Sequence, residues 1–495
     1  VRFLLPAPVA LPLLFAALAV VFGRSRAAQR TCSIVGVSAA VAVAVALLVI
    51  VERDGVQSVT IGGWPAPVGI SLVADLFSCM VLLIGLVTVL VVLIYATGQR
   101  GADDLPAFHP AYLVLTAGVA LTFLTGDLFN LYVAFEITLT ASYVLITLGG
   151  RRTQVRQGMT YVVVNLVASL LFLTGIGFVY AATGTLNLAS LSEVIPTLPD
   201  GVRLALGLFF FVVFGIKAAM FPLFNWLPDS YPTAHSPVTA VFAGLLTKVG
   251  VYCIIRTQTL LFPETEPSVI ILVVAGLTMV VGVLGAVAQN DMKRILSFHI
   301  VSQIGYMLLG LGLFTVSGLA AAVLFLIHQI PVKTSLFLTS GLVEESSGST
   351  ALDRVGGLLR RAPLTAALFG LAALSLAGIP PFSGFVGKLS LIEAGFGARE
   401  YVIVAVALLV SLFTLFSMAK IWNGVFWGAA EEPVTFVAEG PAKAHGALIM
   451  NGATVVLVGV TVAIAVFAGP IYELSERAAQ SLLDPSAYVS TVLGR

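Results

Sequence analysis

Seven lysines occur in 495 residues, and five of them, Lys217, Lys248, Lys333, Lys388 and Lys420, stand inside long apolar runs. All eighteen arginines read as lying outside those runs. The sorting has a chemical reason: arginine effectively never loses its proton, whereas a buried lysine can. A lysine at the bilayer centre costs about 2.5–3.5 kcal/mol on insertion scales, so a row of them marks a function. Burial in apolar surroundings lets such an amine hold and release a proton near neutral pH. The pattern reads as a proton relay. Glu136 is its acidic counterpart, nine residues beyond Asp127 and therefore about 14 Å into its helix, with Lys217 as the expected partner. His299 and His328 also fall in apolar runs, and histidine titrates near neutrality even unperturbed. Taken singly, one intramembrane lysine can be a snorkelling or paired structural charge. Lys420, close to the cytoplasmic end of its run, fits that reading best. His299, near Lys293 and Arg294, reads as interfacial.

These residues need elements to carry them, and composition says what kind. Charged residues are 10% of the chain and hydrophobic ones 59%, with a mean hydropathy of +1.06; a soluble domain carries about 25% charged residues. The chain is an integral membrane protein. A net charge of +1 excludes a basic nucleic-acid footprint. Cys32, Cys79 and Cys253 lie apart in apolar runs, which gives no disulfide framework, zinc site or iron–sulfur ligation. No cofactor is expected, and no intramembrane carboxylate cluster resembles a sodium cage.

Runs of roughly 20 apolar residues number about fourteen. The seventh covers 203–223, the eighth 236–256, the eleventh 317–340 and the twelfth 364–395. The fourth and fifth are separated only by Gly126-Asp127, which predicts a tight helical hairpin. Arg24, Arg26 and Arg30 directly behind the first run argue for a retained helix over a cleaved signal. Asp-Gly and Gly-Gly in 52–71 predict a small extramembrane hairpin. Segments 183–200 and 470–493 read as amphipathic helices at the interface. Counted from the first, the odd loops carry thirteen Lys and Arg, Arg24, Arg100 and Lys443 among them, against seven on the other side, Arg2 and Arg256 included. The excess places the odd loops in the cytoplasm and both termini outside.

Pro222 follows Lys217, Pro331 lies between His328 and Lys333, and Pro380-Pro381 precedes Lys388. Proline frees a carbonyl and kinks a helix, and broken helices at membrane depth line cavities or ion sites. Spacing hints at duplication: Lys217 to Lys248 spans 31 residues and Lys388 to Lys420 spans 32. Five spans per copy would invert the second copy. The chain divides accordingly into 1–108, a first half-channel at 109–256, a second at 268–427, and a C-terminal helix with an amphipathic tail at 428–495.

Four stretches carry a family resemblance: GDLFNLYVAFEITLTASYVLITLGG (126–150), FGIKAAMFPLFNWLPDSYPTAHSPVTAVFAGLLTKVGVY (214–252), DMKRILSFHIVSQIGYMLLGLG (291–312) and GIPPFSGFVGKLSLIEAG (378–395). They resemble the antiporter-like subunits shared by respiratory complex I and multisubunit cation/proton antiporters, nearest to the D-type subunit of Mrp-type sodium/proton antiporters. The short C-terminal tail fits the D type better than the longer A type. The resemblance implies an all-α polytopic fold of about fourteen transmembrane helices, with two inverted five-helix repeats and discontinuous helices seven and twelve. It implies a Glu136–Lys217 pair, with Lys248, Lys333 beside His328, and Lys388 in the relay. PTAHSP (232–237) departs from the family pattern, which puts His235 at a cytoplasmic entrance or a plain interfacial site.

The expectation is a proton-translocating subunit of a sodium/proton antiporter in a bacterial plasma membrane, acting with the other subunits of a hetero-oligomer. The alternative within the family is a proton-pumping subunit of complex I. An organic-solute transporter would need a polar midplane pocket of Asn, Gln, Trp and Arg, which a line of lysines matches poorly. A structural scaffold is the remaining alternative.

Overall fold

The computed structural model describes residues 3–99, 101, 103–263, 268–428 and 441–495, with side chains from 445 onward in the last stretch. Arg2, Arg100, the side chain of Lys443 and residues 429–440 lie outside the described residues. Helices dominate. Those of eight residues or more are, in chain order, α1 (Ala7–Val21), α2 (Arg26–Asp54), α3 (Leu76–Gly98), α4 (Phe108–Leu124), α5 (Leu128–Thr147), α6 (Arg152–Thr183) and α7 (Asp200–Ala218). There follow α8 (Ser236–Leu260), α9 (Ser268–Ala288), α10 (Met292–Gly312) and α11 (Val316–Ser347). The series ends with α12 (Pro363–Ala377), α13 (Ser383–Gly397), α14 (Tyr401–Trp427), α15 (Pro441–Val466), α16 (Ala468–Leu483) and α17 (Ser486–Leu493). Among the described residues eleven of these helices are long and apolar enough to cross a membrane, and α1, α4 and α12 are shorter apolar helices.

Burial does not rise with hydropathy, since lipid rather than water surrounds the bundle. The apolar window of α2 is only 33% buried, whereas that of α11, much richer in polar residues, is 100% buried. Apolar side chains face outward and polar ones are kept inside, where other helices can satisfy them. α8, α10 and α11 form the centre, and five buried amines or imidazoles, Lys248, Lys293, His299, His328 and Lys333, ride on them.

The extramembrane hairpin exists, with Gln57–Thr60 pairing antiparallel to Ser71–Ala74. Its second strand begins only at the far edge of the predicted segment, because Trp64-Pro65-Ala66-Pro67 takes up the turn region. The predicted hairpin between the fourth and fifth spans is also present. Asp127 caps α5 by accepting from Asn130 N at 2.8 Å, a standard use of aspartate at a helix start.

One backbone pattern occurs twice. At the start of α5, Leu128 N donates to Leu186 O at 2.8 Å and Leu188 N to Gly126 O at 2.9 Å. At the start of α10, Met292 N donates to Thr350 O and Leu352 N to Asn290 O, both at 2.9 Å. Each pairing follows a helix ended by a left-handed glycine, Gly184 after α6 and Gly348 after α11. α7 and α12 also end alike. Ala219 N donates to Ile216 O and Met220 N to Gly215 O; Gly378 N donates to Ser375 O and Ile379 N to Leu374 O. Both are Schellman closures around a residue with positive φ, and both leave the chain non-helical for a few residues.

Aligned on those closures, Lys217 stands before its break and Lys388 after its own. The matching spacings of 31 and 32 residues therefore do not mark equivalent positions, since the lysines sit on different halves of the two broken helices. A second correction concerns Arg256, expected outside the spans. It belongs to α8 and is 8% exposed, because Asp75 Oδ2 lies 2.6 Å from its Nη2 and the Phe77, Tyr252 and Tyr488 rings surround its guanidinium.

Candidate functional site

Lys217 occupies the last turn of α7. Its Nζ donates to Asn165 O at 3.2 Å and Ser169 Oγ at 3.3 Å, both on α6, and lies 5.5 Å from the centroid of the Phe135 ring. Glu136, the next residue on α5, faces Lys217 electrostatically. Its Oε1 has no hydrogen-bond partner. Glu136 thus lies across from the amine, while the amine's hydrogen bonds go to α6. A small cavity opens beside Lys217, lined also by Thr138, Tyr161, Asn165, Trp226 and Tyr231.

α8 presses on this amine's helix through a glycine. A Cβ at Gly250 would stand 2.6 Å from Ala218 N and 3.0 Å from the carbonyl carbon of Lys217, so any side chain there would drive α7 and α8 apart. Two residues earlier comes Lys248. A π turn at Phe242–Leu246 interrupts α8, and Lys248 Nζ donates to Ala243 O at 2.5 Å. Such bulges loosen the carbonyl ladder and gather at functional sites. No proline announces this one, so nothing local in the sequence signals it.

Lys333 is wholly buried on α11, and its Nζ has no hydrogen-bond partner. Around it Gln329 Nε2 donates to Gln303 Oε1 at 3.3 Å, while Gln303 Nε2, Gln329 Oε1 and Thr247 Oγ1 stay unpartnered. Lys333 is within electrostatic range of Lys248 on one side and Lys388 on the other. His328 Nδ1 and Ser383 Oγ are 2.8 Å apart, and the Nε2 of the same ring is unpartnered. Lys388, on α13, donates to Ala377 O at 3.0 Å across the helix break and lies 5.0 Å from the centroid of the Tyr306 ring.

The remaining candidates separate cleanly. His299 is fully buried, not interfacial; its Nε2 is 2.5 Å from Ser417 Oγ on α14, and it faces Lys333 and Lys388. Arg294 is exposed and Lys293 pairs with Glu344 at the end of α11, yet one to two turns further along α10 His299 is fully covered by other helices. Lys420 donates to Val287 O at 3.0 Å and Gln289 O at 2.7 Å, closing the C-terminal end of α9 as a basic cap. His235 precedes α8, half-buried. Burial and the nearby Arg151 hold its imidazole below the usual histidine range, with Glu344 opposing and Lys293 adding to the shift.

Residues 125–414 match the family described as NADH:quinone oxidoreductase/Mrp antiporter, transmembrane. The chain belongs to this family. Similar family members include the Na(+)/H(+) antiporter D subunit of Alkalihalophilus pseudofirmus, 43% identical with 98% of each chain covered. The relative of the same name from Bacillus subtilis is 36% identical over 98% of each. Among solved structures, a chain of the Mrp complex from Dietzia sp. DQ12-45-1b superposes with a TM-score of 0.91 at 34% identity, covering 99% of both chains. A chain of respiratory complex I from Thermus thermophilus with bound NADH gives 0.79 at 25% identity, covering 97% of this chain and 99% of that one.

This family member also buries charges that span counting misses. Asp75–Arg256 closes one face, and Lys293 Nζ lies 2.6 Å from Glu344 Oε2 on the other. Arg30 and Asp103 form a two-point ion pair at 2.6 and 2.9 Å, with His109 Nε2 at 3.4 Å from the same carboxylate. Asp75 has one local signal, a capping box with Ser78. Arg30–Asp103 and Lys293–Glu344 depend on partners far away in sequence.

Proposed function

We infer that this chain is the D-type, proton-translocating subunit of a multisubunit cation/proton antiporter. Protons enter and leave through its two halves, and their inward flow drives sodium export by the assembled complex in a bacterial plasma membrane. The recurring closures at α5 and α10, and at α7 and α12, support reading residues 109–256 and 268–427 as inverted repeats with one half-channel each. The observation that carries the proposal is the row of amines and imidazoles within the central helices. Lys217 faces Glu136, Lys333 faces Lys248 and Lys388, and His328 and His299 each face Lys333 and Lys388.

Each step follows from the chain's own atoms. A charged lysine offers three N–H donors, yet Lys217 finds two acceptors, Lys248 and Lys388 one each, and Lys333 none. Water supplies the rest where the site is polar. An amine served partly by water can exist in either protonation state, as a relay site must. Glu136 holds the proton on Lys217 by its charge; weakening that interaction releases it. A proton arriving at Lys333 repels those on Lys248 and Lys388, so occupancy passes along the row. His328, between Ser383 and the amines, offers its unpartnered Nε2 to proton transfer between Lys333 and Lys388.

The 43% identity to a relative named as an antiporter component, against 25% to the complex I chain, favours the antiporter reading over the redox pump. Glu136→Ala and Lys217→Ala test it in an antiporter-deficient strain expressing the whole complex. Antiport is expected to fall about tenfold or more while the subunits still co-purify. Unchanged antiport in assembled complexes contradicts the relay.

A further inference from the structure

Four segments meet at one carboxylate on the face formed by the odd-numbered loops. Glu344, near the end of α11, accepts from Lys293 Nζ of α10 at 2.6 Å and from Ser236 Oγ of α8 at 3.1 Å. The Lys293 side chain is 4% exposed and that of Glu344 39%. The carboxylate therefore touches water while the amine that holds it points inward. Arg151, ahead of α6, and His235, ahead of α8, face the same carboxylate, as does Tyr95 of α3, which also faces Glu345.

From that rim inward, buried polar atoms without partners mark a route. Gln154 is 1% exposed and its Nε2 is unpartnered; its Oε1 and His235 Nε2 flank the same residue, Gly149. Four residues before His235, Tyr231 is wholly buried with its hydroxyl unpartnered. Tyr231 lines the cavity that Lys217 also lines. Native proteins rarely leave such atoms unserved, and a polar, roomy site takes water.

We propose that Glu344 is the cytoplasmic proton port of the α5–α8 half, exchanging protons with Lys217 by way of Gln154 and Tyr231. The proposal rests on the proton-translocating reading above. For inward flow, the Lys217 ammonium gives up a proton that water and the Tyr231 hydroxyl pass to the Glu344 carboxylate. The resulting carboxylic acid then yields the proton to bulk water, restoring the carboxylate. Lys293 and Ser236 hold the acceptor at the rim, and Lys293 keeps the acid from retaining its proton. Nothing is oxidised or reduced.

The test uses the complete complex in everted membrane vesicles, with antiport measured from pH 6 to 9.5, about the span over which such groups exchange protons with water. Glu344→Gln is expected to slow antiport about fivefold or more, with Glu344→Asp recovering most of the loss. Lys293→Met keeps the carboxyl but removes its cation, so the acidic limb of the pH profile should move upward. A purely structural ion pair would lose the same activity in both variants with no shift in profile. Wild-type antiport in Glu344→Gln, alongside inactive Lys217→Ala, overturns the port and leaves the relay standing. Wild-type antiport in Lys217→Ala overturns the relay and the port together. Where Glu344→Gln does not assemble, the Lys293→Met profile decides, and an unshifted profile overturns the port.

Discussion

Lys388 Nζ donates to the carbonyl oxygen of Ala377 at 3.0 Å, joining the two halves of a broken helix through a titratable amine. The last carbonyls of a helix have no partner within it, and here the Lys388 amine supplies one. Lys388→Met removes both the bond and the proton site. Antiport per assembled complex should fall about tenfold or more, measured as sodium-dependent dissipation of a proton gradient in vesicles.

Lys420 provides the contrast. It serves two carbonyls at the end of α9. Lys420→Met should lower the thermal stability of the purified complex by roughly 1 kcal/mol and leave antiport per complex at the wild-type rate. A transport loss matching that of Lys388→Met would place Lys420 in the relay.

Gly384, at the start of α13, has no room for a side chain. A Cβ there would run into Ser375 O and stand 3.0 Å from His328 Nε2. Gly384→Ala should force α12 and α13 apart, at a cost on the order of 1–3 kcal/mol. Lower yield and an earlier melting transition of the complex are the expected readouts, with antiport falling as His328 loses Ser383.

Asp103 gives a pH test outside the spans. Burial pushes its carboxyl up, but His109 and Arg30 outweigh burial and leave it below the usual carboxylate range. A depressed carboxylate stabilises the fold above its unfolded value of about 3.9, and that stability is lost as pH falls through the lower folded value. Thermal stability should therefore drop as pH is taken below about 4. Asp103→Asn should remove on the order of 2 kcal/mol at neutral pH and flatten the acid limb.

Function is most legible in the sequence where the signal is local. A lysine in an apolar run declares itself, and proline beside Lys217 and Lys388 announces the breaks after α7 and α12. Glu136 and His328 are legible for the same reason. The π turn beneath Lys248 is not, because Phe242–Leu246 contains no proline; it arises where α8 meets α11, with Thr334 Oγ1 reaching Ala240 O at 3.4 Å. Lys293–Glu344 escapes notice because its partners are 51 residues apart, and Lys293 alone reads as a loop charge. His299 reads as interfacial from its basic neighbours, yet sequence distance from a charge says nothing about which helices cover it. Backbone hydrogen bonds recur at the starts of α5 and α10 and at the ends of α7 and α12, while the lysine spacings compare unlike positions.

The central claim is that the buried lysines work by losing and regaining a proton, and Lys217→Arg tests it most directly. Arginine keeps the positive charge opposite Glu136, and the cavity beside position 217 gives it room, but it cannot deprotonate. The measurement is antiport in vesicles per co-purified complex. The relay predicts about a tenth of wild-type activity or less; wild-type antiport with arginine at 217 contradicts it.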